Sequence, residues 1–465
     1  MRERAGLITT LGAAALIVTA AAVCVSLVGF SPGYDAFGWL VWGHQIVYGS
    51  LNTGAAPSWK PLGFLFATPY ALAGSHQPWL WMVTATAAAF AAPVFAGRIA
   101  WVLCGRNPGR RHAQVIAAVF AAYGVFALGG YWHLIMIASS DPMVVALCLA
   151  AIDFHLHGRH RIAFAMIVLA SLGRPEAWPF ALIYAAWAWR AAPSMRVFLI
   201  VGVLAIPAAW FAIPALTSKS PFIAGDLALG YRHAIHGHKL SGTVSRFLHN
   251  EPWPIHVLWL AAVALAAIRR DRTELTLVGA AVLWVAIEVG FALHGWPAVP
   301  RYLLEPAAVL SVLAGATVGR AFAMSSAAPL PLRLAVALAA GVVVVALLPS
   351  VRGRLREDRR LVLVAQQTTA AIDRLHAIIV VDRGSRGILA CGEPVTFLGD
   401  QSTLAWQMGL NVGQVGYHPA RAVRWRRPIV LFERHRTSWS VLPMHIPVAD
   451  RRSCGHLIRL MASTA

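Results

Sequence analysis

A lone carboxylate and a lone amine stand among aromatic rings in "SPGYDAFGWLVWGHQIVYGSLNTGAAPSWKPLGF" (31–64): Asp35 follows Tyr34, and Lys60 is set between Trp59 and Pro61. A carboxylate can take a proton from a hydroxyl, and a fixed cation can hold an anionic leaving group. Matching groups recur further along. Asp141 closes "SSD" ahead of Pro142, while Arg174 in "GRPEAW" and Arg301 in "VPRYLLEP" offer planar forks that hold two oxygens of an anion, where Lys60 is a point charge. His44 and the run "YRHAIHGHK" (231–239), with Arg232, add further positive or proton-donating groups. His233, His236 and His238 lack the cysteine or carboxylate partners of familiar zinc spacing, so no metal site is assigned.

Each group also has a plainer reading. Asp35 and Asp141 are good helix N-caps, the second with proline at the first helical position. Arginines can anchor helices by reaching to headgroups, and tryptophans such as Trp39 and Trp59 gather at bilayer interfaces whatever their function.

What must position these residues is a membrane bundle. The 465 residues are 58 % hydrophobic and 12 % charged with mean hydropathy +0.64, so most of the chain is solvated by lipid. The net charge of +20 lies in short clusters between apolar runs, which fits cytoplasmic anchoring better than nucleic acid, and no nucleic-acid partner is expected. Apolar runs near 7–29, 79–103, 113–130, 141–156, 162–174, 176–190, 196–216, 253–268, 274–294, 302–321 and 332–349 predict about eleven transmembrane helices. Placing the basic connections inside leaves "PLGFLFATPYALAG" (61–74) as a partly embedded part of an external loop, 30–78. The N-terminus is then cytoplasmic and the C-terminus outside. Asp35, Lys60, Asp141, Arg174, Arg232 and Arg301 all fall on the outer face, where arginine runs against the positive-inside trend.

After residue 349 the composition changes. An amphipathic helix (351–376) and β-rich runs at 377–382, 387–392, 394–399, 412–417 and 427–434 predict a small extracytoplasmic α/β domain over 350–465. With 17 Arg and Lys against 8 Asp and Glu over 351–465, it is basic. Cys391 and Cys454 both lie in it, where oxidation is possible, and are expected to pair. Cys24, Cys104 and Cys148 sit in or beside apolar runs as small buried hydrophobes.

A long first external loop with an acid soon after helix one, a second acid just before helix four, about eleven spans and an outer C-terminal domain resemble the GT-C superfamily of membrane glycosyltransferases, of an actinobacterial type. The resemblance covers residues 1–349. It implies a multi-pass enzyme of a bacterial cell membrane that moves a hexosyl or pentosyl unit from a polyprenyl-phosphate donor to an envelope glycan, lipid or protein. On that reading Asp35 is the general base of an inverting transfer, Asp141 and His44 orient the acceptor or a cation, Lys60, Arg174, Arg301 and Arg232 hold the donor phosphate, and Trp39 and Trp59 stack on sugar. Many members carry paired acids in the first loop. Here Ala36 and Phe37 follow Asp35, so no cofactor is assigned and a divalent cation stays open. Two other classes also fit a bundle of this kind: a transporter of envelope precursors and a non-catalytic assembly scaffold.

Overall fold

The structure, a computed structural model, describes residues 2–55, 59–105, 111–229, 234–325, 329–381, 384–424, 426–447 and 454. The chain opens with α1 (Arg2–Val28) and two shorter helices, α2 (Tyr34–Val47) and α3 (Pro61–Tyr70). Then come α4 (Gln77–Cys104), α5 (Arg111–Phe126), α6 (Tyr131–Met136), α7 (Asp141–Leu156), α8 (His160–Gly173), α9 (Trp178–Ala191) and α10 (Arg196–Pro207). A π-helical turn at Ala208–Ala212 carries α10 into α11 (Ile213–Thr217). Next are α12 (Ile223–Ala228), α13 (Lys239–Leu248), α14 (Trp253–Arg269), α15 (Arg272–His294), α16 (Leu304–Ser325) and α17 (Leu330–Val381).

All eleven apolar runs are helical. Five stretches among the described residues are long and apolar enough to cross a bilayer, six if α13 and α14, bent by 101°, count as one. Others, such as the 14-residue α8, fall short of the roughly 20 residues a bilayer needs. The helices expected from the sequence are therefore present, and length alone carries five or six of them across. α3 has 10 residues, about 15 Å of helix, and Gly74 at φ 59° breaks the chain before α4, so 61–74 does not cross by itself.

Small residues hold the bundle together. Ala85, Ala89, Ala92, Ala96 and Ala100 form a buried stripe along α4, and α5 buries Ala113, Ala117 and Ala121. α16 presses into α5 through glycine: a Cβ at Gly315 would stand 2.7 Å from Ala117 O, and one at Gly319 2.6 Å from Ala113 O. In lipid, where burial of apolar area between helices adds little, such close backbone approach supplies the packing. The same device docks α2 on α3, since a Cβ at Gly63 would lie 2.4 Å from the Trp39 ring.

The C-terminal part differs from expectation in its detail. α17 runs unbroken for 52 residues through the expected domain boundary at 349–350 and on through "AIIVV", which was expected to be a strand. Ala371, Leu375 and Ile379 explain this: spaced four apart, they form one buried helical stripe against the C-terminal core. Residues 384–389 are also helical (α18, Gly384–Leu389). Among the described residues three strands form: β1 (Glu393–Val395), then, after α19 (Gln401–Met408) and α20 (Pro419–Arg424), β2 (Ile429–Arg434) and β3 (Trp439–Met444). β2 is central, parallel to β1 and antiparallel to β3. The run 412–417 is a turn with a single bridge from Gly416 to Val395. β3 was missed because Pro443 and an alternation of only six residues give little signal. Cys391 and Cys454 are joined in a disulfide, with Cα atoms 5.6 Å apart.

Candidate active site

Up-and-down neighbours bring alternate helix ends to one level. α7 begins at Asp141, α8 ends just before Arg174, and Arg301 lies just ahead of α16, so all three groups share one end of the bundle. The other end has its own ion pairs, Arg320 with Glu274 and Arg98 with Asp153 at 3.0 Å. The first loop completes the near end. Asp35 stands in the first turn of α2 and Lys60 immediately precedes α3.

These side chains form one alternating row of charge. Lys60 Nζ lies 3.6 Å from Asp35 Oδ2, and Arg301 Nη2 lies 3.8 Å from the same oxygen. Arg301 Nε is 3.7 Å from Asp141 Oδ2, whose other oxygen accepts a hydrogen bond from Arg174 Nη2. Arg174 Nη1 is in turn 3.8 Å from Glu176 Oε1. The Tyr302 ring lies beneath both guanidiniums, its centroid 3.7 Å from Arg174 Cζ and 5.5 Å from Arg301 Cζ. Burial disfavours the charge on Arg174, but Asp141 and Glu176 beside it outweigh this and hold the guanidinium protonated well above its usual range.

The two acids stand in different surroundings. Asp141 is 0 % exposed and satisfied, with Ser139 Oγ donating to it at 2.8 Å in addition to Arg174. Asp35 keeps 25 % of its side chain exposed and has no hydrogen-bond donor within the normal range among the described residues. Neither acid caps its helix, since the cap positions are Gly33 and Ser140 and neither helix has a side-chain capping bond. Beside the row lies a cavity of about 90 Å³ whose polar walls are Lys60, Arg174, Glu176, Glu288 and Tyr302 and whose apolar walls include Trp210, Phe291 and Trp296.

Other expected residues lie elsewhere. His44 follows Asp35 by nine residues, which is 900° of helix, so it faces away from Asp35 and packs on Trp406 of α19 with ring centroids 4.7 Å apart. Trp39 and Trp59 are fully buried and cannot offer a face to a sugar. Trp39 meets Trp81 edge-on at 5.3 Å, and Trp59 donates from Nε1 to Ala209 O at 3.0 Å. Their role is to pack α2 and the approach to α3. Arg232 lies outside the described residues.

No family model matches the sequence, and no curated protein matches it. Solved structures do. ArnT from Cupriavidus metallidurans bound to undecaprenyl phosphate superposes with a TM-score of 0.55 over 96 % of this chain and 98 % of its own, at 13 % identity. The apo state of the same protein gives 0.52 over the same shares, at 14 % identity. The chain has the GT-C fold.

Three acidic groups of the chain were not read as site residues. Glu176, Glu288 and Glu305 are buried around Arg174, and both carboxyl oxygens of Glu288 and of Glu305 lack partners among the described residues. A signal existed. An acid inside an apolar helix is costly and functional by default, and Glu288 and Glu305 both fit that rule. Among the described residues no group of three or more His, Cys, Asp or Glu is arranged to hold a metal ion.

Proposed function

We propose that the chain is a membrane glycosyltransferase that uses a polyprenyl-phosphate sugar as donor. The observation that carries this reading is the row itself: one partly exposed carboxylate, Asp35, in reach of two cations, Lys60 and Arg301, with Asp141, Arg174 and Glu176 buried behind it. The GT-C fold adds support, since the similar ArnT was captured with undecaprenyl phosphate. Asp35 takes the proton of an acceptor hydroxyl as that oxygen attacks the anomeric carbon from the side opposite the phosphate. The bond from that carbon to the phosphate oxygen breaks, and its electron pair leaves with the polyprenyl phosphate. Inversion follows. Lys60, Arg174 and Arg301 stabilise the departing anion where bulk water is scarce. Asp141 touches no reacting atom on this account and positions the two arginines.

The test is transfer of a labelled sugar from undecaprenyl-phosphate sugar by the purified chain in vesicles, with the anomeric configuration of donor and product compared. Retention of configuration would overturn the mechanism, and absence of transfer from every lipid-linked donor would overturn the assignment.

The reaction side is the outer face of a bacterial cell membrane, with the N-terminus cytoplasmic and the C-terminal domain outside. The Cys391–Cys454 disulfide supports this, because such bonds persist in oxidising compartments. Reporter fusions at residues 108 and 355 are expected to read opposite compartments. Fusions that read the same one would refute this orientation.

A further inference from the structure

A second cleft, apart from the one beside Arg174, opens on the C-terminal side. It lies between the last turns of α2 and α19, has a volume of about 510 Å³, within the roughly 300–1,000 Å³ of ligand sites, and none of its lining residues is an acid, lysine or arginine. Aromatic rings form one wall. Trp406 lies against His44 at 4.7 Å with the rings tilted by 55°, and Tyr48, 78 % exposed, stands edge-on to His44 at 6.4 Å. Burial holds the His44 imidazole below its usual range and therefore uncharged at neutral pH.

Four amides form the rest of the polar wall, and all four are oriented alike. The side-chain oxygens of Gln45, Asn52, Asn411 and Gln414 accept from the backbone N–H groups of Asn52, Gly54, Gly413 and Asn411, at 3.0, 2.8, 3.1 and 2.9 Å. This leaves the NH₂ ends as donors. Gln45, only 7 % exposed, and His44 have side-chain nitrogens buried without a partner among the described residues, so the amides of Asn52, Asn411 and Gln414 are the donors offered to the cleft.

Rings that cover a C–H face, donors that meet hydroxyl oxygens and a lining without formal charge match a neutral sugar and do not match phosphate or uronate. We propose that this cleft binds a short neutral oligosaccharide, which makes the acceptor a glycan and not a lipid or protein. The acceptor role rests on the transferase reading above; the binding itself does not. The cleft lies on the far side of α2 from Asp35, so it would hold the glycan away from its reacting end. Ser402 Oγ, at the start of α19, donates to Tyr34 O at 2.6 Å, so the element forming one wall is seated on the residue next to Asp35.

The experiment titrates the full chain in detergent with a panel of short neutral hexose and pentose oligosaccharides, and with uronate-containing ones, following tryptophan fluorescence. At least one neutral oligosaccharide is expected to bind, with affinity falling about tenfold in Tyr48→Ala and in Trp406→Phe. Tyr48 is exposed and Trp406→Phe keeps an aromatic ring in place, so both variants are expected to fold, which an unfolding scan checks. No binding, preference for uronates, or affinity unchanged in both variants overturns the proposal. Transfer to a non-glycan acceptor without oligosaccharide binding would sink the cleft and leave the transferase standing. Binding without transfer from any lipid donor would do the reverse.

Discussion

Asp35→Asn is expected to lower turnover by roughly 10²- to 10⁴-fold, the usual cost of losing a general base, while leaving the unfolding temperature nearly unchanged. The geometry separates the two effects. Asp35 makes no capping bond, is partly exposed, and meets Lys60 and Arg301 only at 3.6 and 3.8 Å, so its charge contributes little to folding. Asparagine keeps the size and position of the side chain and removes the proton acceptor. Turnover is read as labelled product per enzyme at saturating donor, because a change in KM alone would implicate binding. An asparagine variant that turns over at the normal rate would exclude Asp35 as the base.

The second large effect concerns Asp141 and Arg174. Arg174→Met removes the charge at similar volume and leaves Asp141, fully buried, with only Ser139 and Arg301 Nε at 3.7 Å. Breaking one side of a buried pair costs about 3–5 kcal/mol, and transfer should be lost with it. Arg174→Met combined with Asp141→Asn has no unpaired charge at that contact. Its stability is expected to return most of the way while transfer stays absent, because the guanidinium proposed to hold the phosphate is still missing. If the double variant recovered transfer along with stability, Arg174 would be a structural residue only. If it stayed as unstable as the single variant, the loss would lie in Glu176 left without its cation or in packing around Tyr302, and not at the Asp141 contact.

Most of the bundle could be read from the chain because lipid imposes one demand that sequence displays directly. Backbone polar groups must be satisfied within the segment, so each apolar run became a helix. The meeting of Asp35, Lys60, Asp141, Arg174 and Arg301 was legible for a related reason, since loops joining alternate helices share an end. Rotation about each helix was harder to read. His44 lies on the far side of α2 from Asp35, which nine residues at 3.6 per turn would have indicated. Trp39 and Trp59 were expected to face a cavity because they look interfacial, yet Gly63 lets α3 close over the first, and Trp59 is tied to Ala209. No local pattern encodes which surface a distant helix will cover. In the C-terminal part, β-branched "AIIVV" favours a strand by composition, and the buried stripe of Ala371, Leu375 and Ile379 overrode it.

α17 reaches from the bundle into the C-terminal core without a linker, about 78 Å of helix at 1.5 Å per residue. On the way Thr369 Oγ1 donates to Gly29 O at 2.8 Å, and Phe37 of α2 meets Trp406 at 6.4 Å. The seam that composition suggests at residue 349 is therefore a poor place to cut. Truncation there would strip a shared keystone, exposing one side of α2 and removing the Trp406 wall from beside His44. Exchange of tails between chains of this fold would have to carry the whole rod and its seat on α2 together, so any such graft has to include the first loop.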